Sequence, residues 1–123
     1  MTLSDYEKIL LGGWEDVHKK SQLTFWILLA LKDGPKHMAE IKHFISVKTN
    51  NLLEADDKSM YRALRRFQDA DMINNDLKNN PNGPDQKVFK LTKSGKKILA
   101  EFIERNISSI IFRPDVKKLL ECN

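Results

Sequence analysis

Apolar positions change their spacing along this chain, and each change marks a new element. Between Ser4 and Lys20, Tyr6, Ile9, Leu10, Gly13, Trp14 and Val17 recur every three or four residues, which gathers them on one side of a helix. Gly12 and Gly13 interrupt that segment at roughly 1 kcal/mol each relative to alanine. The pair predicts either a break or a close-packed neighbour at Gly13. From Gln22 to Lys32 the chain is apolar nearly all round, through Leu23, Phe25, Trp26, Ile27, Leu28, Leu29, Ala30 and Leu31. That is the pattern of a second helix, buried at the centre of a domain. Asp33-Gly34-Pro35 ends it with a glycine and then a residue that cannot continue a helix. A shorter helix is expected from about Lys36 to Ser46, with Met38, Ile41, Phe44 and Ile45 inward. Val47 to Ala55 is polar apart from Leu52-Leu53 and reads as a loop with a helical turn.

Asp56 or Asp57 supplies an N-cap for the next helix, which should run to about Ala70. Met60, Ala63, Leu64 and Phe67 form its inner face at helical spacing. Met72–Lys78 and Gln86–Thr92 then flank Asn79-Asn80-Pro81-Asn82-Gly83-Pro84-Asp85, a turn-rich run that predicts a hairpin. Phe89 and Leu91 share one face of its second strand. Thr92 can cap a last long helix from about Lys93 to Phe112, stopped before Pro114, with a short helical tail over Asp115–Glu121. Three helices, a two-stranded ribbon and a further helix make a mainly α (α+β) fold, a winged helix-turn-helix. Its third helix is the one such folds offer to the DNA major groove. The expected organisation is a helical extension over residues 1–21, a winged helix-turn-helix domain over 22–92, and a dimerisation helix with its tail over 93–123.

Charge sharpens this picture more than composition does. With 123 residues, 41% hydrophobic and 31% charged, the chain has the make-up of a soluble globular domain. Its net charge of +4 and isoelectric point near 9.2 permit nucleic-acid binding without requiring it. The positive charge is clustered, however. Lys58, Arg62, Arg65 and Arg66 fall within nine residues of the third helix, with Ser59 and Tyr61 beside them. No glutamate stands within one turn of Arg62, and Asp69 can compensate only Arg65 or Arg66. Lys87 and Lys90 on one strand and Lys78 on the other add further cations. Taken alone, the helix is also compatible with a solvated charged face whose long stems lie along apolar surface. The joint basicity of helix and hairpin suits a phosphate track better, because arginine bonds guanine or phosphate bidentately and hydroxyls bond phosphates.

Other chemistries find little support. Cys122 is the lone cysteine, which excludes an intrachain disulfide and a cysteine-based zinc site. His18, His37 and His43 show no metal-ligand spacing with carboxylates, and no cofactor is indicated. No nucleophile–base pair, phosphate loop or carboxylate pair suggests an enzyme. No signal peptide or membrane span is visible, so a cytoplasmic location is expected.

The residues also carry a resemblance. Leu28-Leu29-Ala30-Leu31 with Gly34-Pro35 and His37, then Ser59-Met60-Tyr61-Arg62-Ala63-Leu64-Arg65-Arg66-Phe67 with Ile73, then Lys87-Val88-Phe89-Lys90-Leu91-Thr92 with Gly95 occur in sequence. Over roughly Leu23 to Glu104 the chain resembles the PadR-like winged-helix transcriptional regulators. The resemblance implies a homodimeric regulator, usually a repressor, whose third helix and wing contact a palindromic operator in double-stranded DNA. By position, Ser59 and Tyr61 would meet phosphates, Arg65 would face the groove and Lys87 would lie at the wing. Lys58, Arg62 and Arg66 join this set from the helical wheel, and His37 as a surface histidine near DNA. Met38-Ala39 stands where the family commonly has Gly-Tyr. Asp71 replaces the glycine that normally ends the recognition helix and must adopt the left-handed conformation in its place.

The last helix points independently to self-association. Leu99, Phe102, Ile103, Asn106, Ile107 and Ile110 fall on one stripe, beyond the wing and with little of their own domain left to cover them. Folding back on the same subunit is the alternative, and Asn106 within the stripe is a candidate for setting register. Some members of the family bind aromatic or cationic small molecules near the dimer centre. Trp14 and Trp26, with Tyr6 and Phe102, are candidates to line such an effector site, although core and interface packing accounts for them more simply. The competing function is a winged-helix protein-interaction module in which the same arginines meet an acidic protein surface.

Overall fold

The computed structural model of the chain describes residues 2–121, and Cys122 lies outside them. The elements run α1 (Asp5–Lys32), β1 (Lys36–His37), α2 (Met38–Lys48), α3 (Asp57–Asp69), β2 (Ile73–Lys78), β3 (Gln86–Leu91), α4 (Lys93–Ile103), a π-helical turn (Glu104–Ser108) and α5 (Pro114–Glu121).

The two helices expected before Asp33 are one. The Ser4 hydroxyl accepts from the Glu7 backbone N–H at 3.1 Å, and the Glu7 carboxylate accepts from the Ser4 N–H at 2.8 Å. This reciprocal cap starts a 28-residue helix that runs through Gly12 and Gly13 unbroken. Among the described residues, nothing beyond the adjoining backbone of α1 itself lies within 4 Å of where a Cβ would stand on either glycine, so neither the break nor the close neighbour is seen. Helix on both sides of the pair propagates across it, outweighing two local penalties. The division after residue 21 therefore falls inside a continuous helix.

Lys36 and His37 leave the short helix expected from about Lys36 to Ser46 and pair with Phe89 and Val88, giving a three-stranded antiparallel sheet in the order β1-β3-β2. Lys36 is held there by its ammonium, which donates to the Ala30 carbonyl at 2.7 Å and to Asp33 at 2.9 Å, closing the end of α1. The core gathers Ile27, Leu28, Ala30 and Leu31 from α1, Ile41 and Ile45 from α2, and Met60, Ala63 and Leu64 from α3. Leu53 from the segment before α3, Ile73, Phe89 and Leu91 from the sheet and Leu99 from α4 complete it.

One joint fixes the wing and α4 against the end of α3. Asp71 takes the left-handed conformation (φ 58°). The Met72 N–H then bonds the Phe67 carbonyl at 2.9 Å and the Asp71 N–H bonds that of Gln68 at 3.0 Å, satisfying the last carbonyls of the helix. The Thr92 hydroxyl donates to the Asp71 carbonyl at 2.6 Å and accepts from the Gly95 N–H at 3.0 Å. A Cβ on Gly95 would lie 1.9 Å from the Met72 carbonyl oxygen, so only glycine fits there.

The C-terminal part departs from the expected straight helix to Phe112. α4 ends at Ile103, and the π-helical turn follows, with the Ser109 N–H bonding the Glu104 carbonyl five residues back. The expected stripe is thereby divided. Leu99 is 2% exposed and belongs to the core of its own chain. Ile103 and Ile107 are half-buried, whereas Phe102 and Ile110 are exposed. The Asn106 amide donates to the Phe102 carbonyl at 3.0 Å.

Candidate nucleic-acid interface

α3 is positioned by its cap and its inner face. The Asp56 carboxylate accepts from the Ser59 backbone N–H at 2.8 Å and from the Ser59 hydroxyl at 2.9 Å. These bonds, the backbone one first, hold its carboxyl below the usual carboxylate range. Met60, Ala63 and Leu64 are buried and Phe67 half-buried, as the helical wheel predicts. The opposite face therefore projects from the body. Lys58, Tyr61, Arg62, Arg65 and Arg66 are all exposed, Tyr61 to 61%.

None of these four cations makes an ion pair within 4.0 Å among the described residues. Asp69, the candidate partner of Arg65 or Arg66, engages neither. Asp57 pairs with Lys42 on α2 at 2.6 Å, which ties the two helices together.

The wing completes the face with one lysine rather than three. Side chains alternate along β3, so Lys87 shares the side of the sheet that carries Phe89 and Leu91 into the core. A groove between α3 and the wing is lined by Tyr61, Arg65, Gln68, Asp69 and Lys87 over Leu64 and Phe89. A second crevice, of about 350 Å³, brings Tyr61 and Lys87 to His37, Met38 and Ala39 at the start of α2 and to Asp85 and Gln86. Lys90 and Lys78 alternate to the other side of the ribbon, where Lys90 lies 3.8 Å from Asp76.

Two of the sequence-based candidates have local duties. His37 is the N-cap of α2, its Nδ1 accepting from the Glu40 N–H at 3.3 Å while Glu40 bonds the His37 N–H at 3.0 Å. It still borders the crevice. The Ser59 hydroxyl hydrogen is committed to Asp56, so Ser59 is a capping partner before it is anything else. Asp85, Gln86 and Gln68 line these grooves without being marked by the clustered positive charge. The two-residue alternation that places Lys87 would have placed Asp85 as well.

Residues 27–101, more than half the chain, match the model of the Transcriptional regulator PadR-like family. The chain belongs to the PadR-like family. Solved PadR-like proteins share its fold. A PadR family transcriptional regulator from Eggerthella lenta DSM 2243 superposes with a TM-score of 0.70 at 19% identity, covering 96% of this chain and 97% of that one. A PadR-like regulator from Bacillus cereus strain ATCC 14579 gives 0.65 at 23% identity, covering 85% and 96%. Bacillus subtilis PadR, solved in complex with operator DNA, gives 0.60 at 22% identity over 66% of this chain and 46% of that one. No curated protein sequence matches the chain. The family is one of transcriptional regulators, not of enzymes. Among the described residues no helix is long and apolar enough to cross a membrane.

Of the effector candidates, Trp26 and Phe102 both pack on Phe25, but Trp14 and Trp26 are not brought together within this chain. Trp14 and Trp26 stand twelve positions apart on α1, about 18 Å along the helix axis. Trp14 is 76% exposed, whereas Trp26 is half-buried and packs edge-on against Phe25.

Proposed function

We propose that this PadR-like chain is a sequence-specific DNA-binding regulator, a repressor that sits on a palindromic operator as a homodimer. The observation that carries the reading is the outer face of α3. Lys58, Arg62, Arg65 and Arg66 are exposed without ion-pair partners among the described residues, and Tyr61 and Lys87 border the same grooves. Arg65 faces the groove floor, Lys58, Arg62 and Arg66 neutralise phosphates on either side, and the Tyr61 hydroxyl bonds a phosphate. That Bacillus subtilis PadR was solved with operator DNA on a related fold is in keeping with this use.

The two ends of the chain form the dimer. α1 from Asp5 to Val17 exposes Tyr6, Ile9, Leu10, Trp14 and Val17 and carries four carboxylates against one lysine. The chain beyond residue 92 exposes Phe102, Ile110, Phe112, Leu119 and Leu120 and carries seven cations against four carboxylates up to Glu121. Apolar stripes of opposite charge fit one another across two copies. Ile103, Asn106 and Ile107 flank that contact.

The deciding experiment is binding to DNA fragments enriched by the protein from random sequence, titrated against salt. Affinity should fall steeply with salt through counterion release, and Arg65→Ala should weaken it roughly tenfold without altering dimerisation. If no sequence is enriched, the arginine face meets an acidic protein surface instead.

A further inference from the structure

We propose that Asp85 is a specificity-determining residue. It is an acid set inside the DNA-facing crevice that weakens binding to arbitrary backbone and is tolerated only where the operator presents a base amino group. This rests on the DNA-binding reading above. Asp85 directly precedes β3, and the alternation that sends Phe89 into the core and Lys87 toward α3 sends Asp85 the same way. It lines the crevice with Tyr61, Gln86 and Lys87. Of the nearby carboxylates, Asp56 caps α3, Asp57 pairs with Lys42 and Asp76 lies by Lys90 on the wing's far side, while Asp69, also without an ion pair among the described residues, lines the neighbouring groove and not this crevice. Asp85 makes no ion pair within 4.0 Å among the described residues, with Lys87 or any other cation. The wing loop from Asn79 to Asp85 holds no lysine or arginine to neutralise it.

An ionised carboxylate only accepts hydrogen bonds. It repels phosphate, and the groups on a duplex able to satisfy it are base amino groups such as cytosine N4. Repulsion from wrong partners combined with attraction to one right partner is how an interface discriminates at little gain in total affinity.

The test uses the whole protein and two duplexes of equal length and composition: one enriched from random sequence by the wild type, and its scrambled counterpart. Asp85→Asn should raise affinity for the scrambled duplex roughly three- to tenfold and raise it less, or lower it, for the enriched one. Asp76→Asn removes the same charge from the far side of the wing and should leave the ratio of the two affinities unchanged. An equal rise on both duplexes would reduce Asp85 to bulk charge and overturn the proposal, as would no change on either. If the wild type itself fails to separate the two duplexes, the DNA-binding reading falls, and this proposal with it. If the wild type discriminates and Asp85→Asn discriminates equally well, only the role of Asp85 falls.

Discussion

Ile27, Ile41, Met60 and Leu64 are shielded from solvent in the central body, whereas Ile9, Leu10, Trp14 and Val17 on the first turns of α1 are each more than half exposed. Both sets stand at helical spacing, and α1 contains members of each. Periodicity alone thus predicts that a face will be covered, and not which chain will cover it. Within the body, α2, α3, the sheet and α4 close over the apolar positions. At the two ends Ile9, Leu10, Trp14 and Val17, and Ile110, Phe112, Leu119 and Leu120, stay exposed, and in the dimer proposed above a second copy would cover them.

The largest effect that can test this contrast lies in the body, at the joint between α4 and the wing. Gly95→Ala places a methyl group against the Met72 carbonyl, where a Cβ would stand only 1.9 Å away. Relief requires α4 to move off the joint made by Thr92 and Asp71, so the unfolding midpoint in denaturant should report a loss of roughly 3 kcal/mol or more. A loss below about 1 kcal/mol would show that this part of the body yields as freely as the ends.

At the ends the expected effect is smaller and of a different kind. Trp14→Ala should raise the dimer dissociation constant by roughly thirtyfold, about 2 kcal/mol, as loss of a buried interface aromatic does. Sedimentation equilibrium measures it. At concentrations where both proteins are dissociated, the unfolding midpoint should not change. A loss of stability there would place Trp14 against its own chain and break the comparison.

How much of this was legible in the sequence follows the same division. Met60, Ala63 and Leu64 at helical spacing, Asp56 as a cap and Phe89 with Leu91 at strand spacing all stand where the pattern put them, because their partners lie in the same domain. β1 was missed since two residues carry no periodicity; its cause is the Lys36 ammonium closing α1. The break after Ile103 was missed because Ile107, Ile110 and Ile111 continue a helical pattern that the backbone does not follow. At the candidate interface, the direction of Arg65 was readable from Met60 and Leu64. Lys78, Lys87 and Lys90 lie close together in the sequence, but alternation splits them and leaves Lys87 alone beside α3.

Asp71 offers a finer probe of the body. It holds a left-handed conformation that costs an L-residue free energy and glycine almost none. Asp71→Gly should stabilise the protein by about 0.5 kcal/mol, since the Thr92 hydroxyl bonds the backbone carbonyl and loses nothing. Thermal unfolding resolves this; a destabilised variant would show that the Asp71 side chain supports the joint.

The smallest effect is a pH dependence, and it separates the two regions most finely. The Asp56 carboxyl in the body is held low first by the Ser59 backbone N–H, and the Glu7 carboxyl at the exposed end is held low first by that of Ser4. A carboxyl depressed on folding contributes stability that is present above its unfolded value and lost as pH falls through its folded value. Acidification below the usual carboxylate range should therefore loosen both caps. Asparagine caps a helix about as well as aspartate but does not titrate there, so Asp56→Asn should slightly flatten the acid side of the unfolding midpoint against pH. Glu7→Gln should leave that curve unchanged, because the first turns of α1 carry no part of the buried core. If Glu7→Gln flattened the curve as much as Asp56→Asn, the exposed part of α1 would have to unfold together with the body rather than ahead of it.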